Sequence, residues 1–102
     1  MLEERKAENI LLLDVQQLTI LADYFVICST TSERQIRALS GDLSRQLKGE
    51  VGKPLAVEGE ADSGWVLVDY GSVVVHIFAP DMRAFYDLEG LWAEAKTVVH
   101  IQ

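Results

Sequence analysis

Residues that build metal and redox sites are scarce in this chain. Among its 102 residues there is one cysteine, Cys28, and there are two histidines, His76 and His100. A single cysteine cannot form an internal disulfide, which favours a reducing compartment, and two histidines exclude a histidine-rich metal site. Cys28 lies in the apolar run YFVIC, so we expect a buried small side chain rather than a nucleophile, which would need an activating base.

Several kinds of motif are missing as well. The sequence contains no Walker loop, no GxGxxG or HExxH pattern and no CxxC pair. No stretch approaches the roughly 20 apolar residues of a membrane span. The mixed charges of the opening segment, MLEERKAEN, are unlike those of a signal or transit peptide. We therefore expect a protein of the cytoplasm, or of an organelle after processing, that contacts no membrane and needs no cofactor.

Positive charge is also in short supply. The 16 acidic residues outnumber the 9 basic ones, which gives a net charge of -7. This balance repels phosphate, so it disfavours binding to bare nucleic acid and favours a basic protein partner. The chain length suits one domain, residues 1–102, with one packed core.

Apolar runs and turn residues predict an α/β (α+β) fold, a mixed sheet of about five strands flanked by helices. We predict strands at 10–15, 24–28, 54–59, 65–70 and 72–78. Gly71 separates the last two, as expected for the tight turn of a hairpin. Residues 1–8 resemble the last turns of a shortened helix, and 93–102 are predicted to be a tail with at most one short extended piece at VVHI.

Two helices are predicted. Ser32 and Gln35 have the spacing of a capping box, and apolar residues then recur at helical spacing until Gly49 ends the first helix. Asp81 is a suitable N-cap for a second helix that runs to Trp92. Its apolar stripe, expected to fill the core, consists of Phe85, Leu88 and Leu91.

Asp69 and His76 are the side chains with the most obvious chemical potential. Leu67 and Gly71, two residues to either side of Asp69, are not acidic, so this strand face lacks the paired carboxylates of a metal-dependent phosphoryl or nucleotidyl transferase. A lone histidine in a strand is usually half-buried and hydrogen-bonded. We therefore expect neither catalysis nor a metal site here.

The aromatic residues of the hairpin and the last helix suggest recognition instead. Trp65, Tyr70, Tyr86 and Trp92 are predicted to form an exposed patch that anchors a protein partner; the alternative is that the two tryptophans are merely half-buried. Asp87 and Glu89 are expected to be solvated. Arg83 has the spacing to pair with Asp87 across one helical turn.

Five segments resemble the Iojap-like family of ribosomal silencing factors. They are LADYFVI, the helix starting at Ser32, KPLAVEG, WVLVDYGSVVVHIF and RAFYDLEGLW. The resemblance implies a nucleotidyltransferase-like fold without transferase activity. It also implies a protein that binds the large ribosomal subunit through large-subunit protein fourteen, blocks joining of the small subunit and represses translation when nutrients are short.

The family's contact surface maps onto nine positions of this chain. They are Trp65, Asp69, Tyr70, His76, Phe78, Arg83, Tyr86, Leu88 and Trp92. Two features depart from the family pattern: only the end of the usual N-terminal helix is present, and Ser72 replaces a common acidic residue in the hairpin turn. A nucleotide-handling enzyme and a homodimeric adaptor with another partner remain alternative functions.

Overall fold

The computed structural model describes residues 7–101, with the backbone alone for 46–51. A six-stranded mixed sheet forms its centre, in the order β3-β4-β5-β2-β1-β6. β2 and β5 pair in parallel, while the other neighbouring strands pair antiparallel. The elements are β1 Glu8–Asp14, β2 Tyr24–Ser29, α1 Glu33–Val51, β3 Ala56–Glu58, a 3-10 turn Ala61–Ser63, β4 Trp65–Asp69, β5 Val73–Phe78, α2 Pro80–Tyr86, α3 Leu88–Leu91 and β6 Lys96–Ile101.

The mixed sheet and its five predicted strands are confirmed, and a sixth strand lies where a tail was predicted. β6 pairs antiparallel with β1, with Val99 opposite Leu12. Every side chain of β6 is exposed, so the segment lacks the alternation of a half-buried strand. The prediction of a helix end over 1–8 is wrong at Glu8, because Glu8 begins β1. Residues 1–6 of that predicted segment lie outside the described part of the chain.

The start of α1 is stabilised by side chains, as its sequence predicts. The Gln35 backbone N–H donates to Ser32 Oγ at 3.1 Å. Gln35 Oε1 accepts from the backbone N–H of Thr31 at 3.2 Å, so the return bond of the capping box is displaced by one residue. The helix does not stop at Gly49 but continues to Val51, followed by Gly52 at φ 81°.

Helices cover both faces of the sheet. The α1 side holds one buried cluster, which includes Cys28 together with Ile36, Leu39 and Leu43 of α1. The side chain of Leu47 lies outside the described set. Cys28 is fully buried, as predicted, and burial raises the pKa of its thiol to about 12. Within the described residues, no helix is long and apolar enough to cross a membrane.

The predicted second helix is divided in two. α2 begins at Pro80 after Ala79, so the prediction of Asp81 as N-cap is wrong, and Pro80 takes the first helical position, which needs no N–H. Asp87 then has φ 48° and interrupts the helix, while its Oδ1 accepts from the Gly90 N–H at 3.2 Å. Because the chain leaves the helical conformation at Asp87, Phe85 and Leu88 do not belong to one continuous apolar stripe.

The division decides which side chains of the stripe reach the core. Leu88 is 9% exposed and packs with the cluster on the side of the sheet opposite α1. Phe85 and Leu91 are 74% and 76% exposed. The prediction that these two residues belong to the core is therefore wrong, because it assumed one continuous helix.

Candidate protein-binding cleft

Strand register brings the predicted site residues of β4 and β5 onto one face. Trp65 lies opposite Phe78, Leu67 opposite His76, and Asp69 opposite Val74. Because side chains alternate along a strand, all six project to the same side. That side faces away from α1, and the short helices α2 and α3 cover only part of it.

The uncovered part of this face holds two neighbouring recesses, called here the outer and inner ends of the β4 cleft. Glu58 and Leu67 line both ends. The outer end has a volume of about 320 Å³ and is completed by Gly59, Ser63, Trp65 and Tyr86. The inner end has a volume of about 260 Å³ and is completed by Leu21, Ala22, Phe25, Asp69, Val74 and His76.

Trp65 forms the wall of the outer end and is held on three sides. Its ring stacks on Phe78 with centroids 5.1 Å apart and lies 4.6 Å from the ring of Tyr86. Its indole Nε1 donates to His76 Nδ1 at 3.3 Å. Such a fixed, half-buried aromatic side chain presents contact area with little conformational entropy to lose on binding.

His76 is more deeply buried than the predicted half-buried position, at 4% exposure. Burial lowers the pKa of its imidazole to about 4, so the ring is neutral at pH 7. Because the indole of Trp65 can only donate, Nδ1 is the acceptor and Nε2 carries the hydrogen. Nε2 is buried and has no partner in the described part of the chain, an arrangement that costs about 1–3 kcal/mol.

Two carboxylates border the cleft. Asp69 Oδ1 accepts from the Gly71 backbone N–H at 2.7 Å and so shapes the hairpin turn. Glu58 lies on β3, opposite Leu67 and therefore diagonal to Asp69 on the same face, at a separation of about 7–8 Å between Cα atoms. Among the described side chains, which leave out 46–51, neither carboxylate forms an ion pair with a basic group.

The metal-binding capacity of this arrangement is small. Sequence inspection found no acidic partner for Asp69 on its own strand, and the structure adds Glu58 from the neighbouring strand. The described side chains of 7–45 and 52–101 contain no group of three or more His, Cys, Asp or Glu that could hold a metal ion.

Arg83 is a structural residue rather than an exposed contact. It is 6% exposed, and its Nη1 donates to the Asn9 carbonyl at 2.7 Å and to Ser29 Oγ at 3.0 Å. Its Nε donates to Glu89 Oε1 at 3.1 Å. The predicted pair with Asp87 is therefore wrong, and so is the prediction that Glu89 is simply solvated.

The nine predicted contact positions do not form one exposed surface. Four of them line the cleft: Trp65, Asp69, His76 and Tyr86. Phe78, Arg83 and Leu88 are buried beneath the same face. Trp92 is half-buried, with its ring edge-on to Phe25 at 5.1 Å.

Tyr70 lies on the opposite side of the sheet from the other predicted contact positions. Its side chain packs against the cluster under α1, and its hydroxyl is buried without a partner among the described residues. The prediction that four aromatic side chains form one exposed patch is therefore wrong. Tyr70 follows the last residue of β4, and side-chain alternation places it on the face opposite to Trp65. Both tryptophans are half-buried, as the alternative interpretation expected.

Sequence inspection missed several residues of the cleft. Alternation along β4 would have placed Leu67 beside Trp65, but Glu58 and Leu21 carry no comparable signal because their positions depend on strand pairing and loop placement. Leu21 is 82% exposed, and its neighbour Ile20 is fully exposed. With Phe85, these side chains leave an apolar margin around the cleft that is typical of a protein interface.

Comparison with known proteins identifies the family of this chain. The family model described as ribosomal silencing factor during starvation matches residues 1–102. The Bacillus subtilis ribosomal silencing factor RsfS is 40% identical over 93 residues, which make up 91% of this chain and 79% of that protein. A crystal structure of a Chromobacterium violaceum protein superposes with a TM-score of 0.85 at 36% identity, covering 96% of this chain and 83% of the other.

An organellar relative is also similar. The mouse protein named mitochondrial assembly of ribosomal large subunit protein 1 is 35% identical over 95 residues, covering 90% of this chain and 42% of that longer protein. The names of these relatives indicate ribosome-associated factors rather than enzymes. Together with the family match over the whole length, they show that the chain belongs to the RsfS family of ribosomal silencing factors.

Proposed function

We propose that the protein binds the large ribosomal subunit through large-subunit protein fourteen, blocks joining of the small subunit and so represses translation. The observation that carries this proposal is the β4 cleft, an apolar and acidic recess on the open face of a family member's sheet. The name of the mouse relative supports a large-subunit partner.

The physical character of the cleft favours a basic protein surface. Trp65, Leu67 and Tyr86 offer apolar area, while Glu58 and Asp69 supply negative charge at the edge. The net charge of -7 would accelerate association with a basic surface and oppose contact with exposed phosphates. Silencing by this route is steric, because occupation of a surface that the small subunit needs is sufficient.

Co-sedimentation with isolated large ribosomal subunits tests the proposal directly. The double variant Phe85→Ala/Tyr86→Ala removes exposed aromatic area beside the cleft and should weaken binding about tenfold or more. Val98→Ala is a matched control, since Val98 is also exposed but lies on β6, at the opposite edge of the sheet. The thermal melt of Val98→Ala should match that of the wild type, while the double variant should remain folded with a modestly lower melting temperature, because Tyr86 packs on Trp65.

Two further measurements separate binding from silencing. Light scattering after small subunits are added should show slower joining with the wild type and near-normal joining with the double variant. Pull-down with purified large-subunit protein fourteen tests the named contact. Absence of wild-type co-sedimentation would contradict the proposed function, and equal binding by the double variant would contradict the cleft as its contact surface.

A further inference from the structure

The inner end of the β4 cleft combines an apolar lining with one buried, unpartnered donor and two carboxylates. Phe25, Leu67 and Val74 supply the apolar lining. His76 supplies a buried donor, and Asp69 and Glu58 supply carboxylates. A ligand that fits this end must therefore offer apolar surface, positive charge and a hydrogen-bond acceptor together.

The Nε2–H donor of His76 limits the choice of ligand more than the other groups do. The bond from Trp65 Nε1 to His76 Nδ1 fixes the hydrogen on Nε2, which is buried without an acceptor among the residues that the structure describes. His76 is 4% exposed, so bulk water does not satisfy that hydrogen freely. An oxygen brought by a partner would complete the bond once the side chains that cover Nε2 had moved aside.

The two carboxylates define the charge of the ligand. Asp69 Oδ1 accepts from the Gly71 N–H, and Oδ2 has no hydrogen bond to the described groups of 7–45 and 52–101. Glu58 is exposed and has no ion pair in the same range. Because the two acids share one face and repel each other, a cation placed between them would be stabilised by both.

We propose that this inner end is a pocket for one lysine or arginine side chain of a basic protein surface. The aliphatic stem packs on Leu67, Phe25 and Val74, the charged group lies between Glu58 and Asp69, and an oxygen of the same partner segment accepts from His76 Nε2. The identity of that partner rests on the proposed function, whereas the pocket itself does not.

Other ligand classes fit the same groups less well. A phosphate would be repelled by both carboxylates, and a purely apolar side chain would bury them without compensation. A divalent metal ion would find no group of three or more His, Cys, Asp or Glu among the described side chains, which leave out 46–51. A long basic side chain satisfies the apolar lining and both acids at once.

The first experiment measures binding kinetics with isolated large ribosomal subunits. Glu58→Gln/Asp69→Asn removes both charges, while the new asparagine amide retains an oxygen for the Gly71 N–H. Glu33→Gln/Asp62→Asn is the matched control, since it changes the net charge equally at exposed residues near the start of α1. The cleft variant should dissociate about tenfold faster or more, because a short-range ion pair acts chiefly on dissociation. Equal dissociation rates for the two double variants would overturn the pocket's role in that complex.

The second experiment examines the pocket without the ribosome. Nitrogen-15 spectra record the Trp65 indole and His76 imidazole signals during titration with N-acetyl-arginine methylamide. N-acetyl-norleucine methylamide, which has the stem but no cation, is the control ligand. Saturable shifts with the arginine ligand alone, lost in Glu58→Gln/Asp69→Asn, are expected; equal shifts with both ligands, or none, would contradict the cation pocket.

The two experiments fail in different ways. If the wild type does not bind large subunits but the arginine titration is positive, the partner is wrong and the pocket stands. If subunits bind, but the two double variants dissociate at equal rates and the arginine titration is negative, the pocket is wrong and the proposed function stands.

Discussion

Replacing Arg83 by Met tests whether one buried cation fixes α2 to the sheet. The guanidinium joins three elements, through the Asn9 carbonyl in β1, Ser29 Oγ in β2 and the carboxylate of Glu89 in α3. Met retains most of the apolar stem but leaves these three acceptors without their donor.

The expected loss of unfolding free energy is about 3 kcal/mol. Hydrogen bonds to a charged group contribute about 1.5–3 kcal/mol each, and the lower desolvation cost of Met offsets part of their loss. Glu89 is 34% exposed at its side chain, so its carboxylate can recover hydration. A loss of this size should lower the melting temperature by about 12–24 °C in a domain of this length.

Urea unfolding followed by tryptophan fluorescence measures the difference, and two variants serve as controls. Glu89→Gln preserves an acceptor for Arg83 Nε and should cost about 1 kcal/mol or less. Arg83→Lys preserves the charge but not the fork that reaches several acceptors, so its stability should lie between wild type and Arg83→Met. Wild-type stability in Arg83→Met, within about 0.5 kcal/mol, would refute the structural role assigned to this residue.

Three further outcomes follow from burial. Phe85→Ala should change stability by less than about 0.5 kcal/mol, whereas Leu88→Ala should cost about 2–5 kcal/mol in the same urea assay; equal losses would contradict the divided helix. The pKa of His76 is about 4 in the folded protein against an ordinary value of 6.5. As the pH falls, the unfolded chain therefore binds this proton at a higher pH than the folded protein does. Stability from His76 should therefore be complete above pH 6.5 and fall by roughly 3 kcal/mol as the pH drops towards 4, a slope that His76→Gln should lack. Cys28, buried and with a thiol pKa of about 12, should react with Ellman's reagent only at the rate of unfolding, and rapid labelling of the native protein would show that it is accessible.

Side-chain alternation along the strands makes part of the cleft predictable from the sequence. Asp69 ends β4 just before the hairpin turn, and alternation along β5 is sufficient to place His76 with Val74 and Phe78 on one face. The same alternation, applied to β4, would have excluded Tyr70 from that face. The position of Glu58 was not predictable in this way, because β3 has three residues and its register with β4 is set by the whole sheet.

By itself, the sequence determined the features that depend on neighbours along the chain. They are the apolar strands, the hairpin at Gly71, the Ser32 cap of α1 and the excess of acidic residues, since each follows from side-chain chemistry within a few positions. Tertiary structure alone decided the rest. It added the exposed strand β6, whose backbone hydrogen bonds depend on β1, and it divided the last helix at Asp87, so that Leu88 is buried while Phe85 remains exposed. It also assembled the cleft, because contacts between β3, β4 and the loop at Leu21 join residues that are distant in sequence and only come together when the sheet forms.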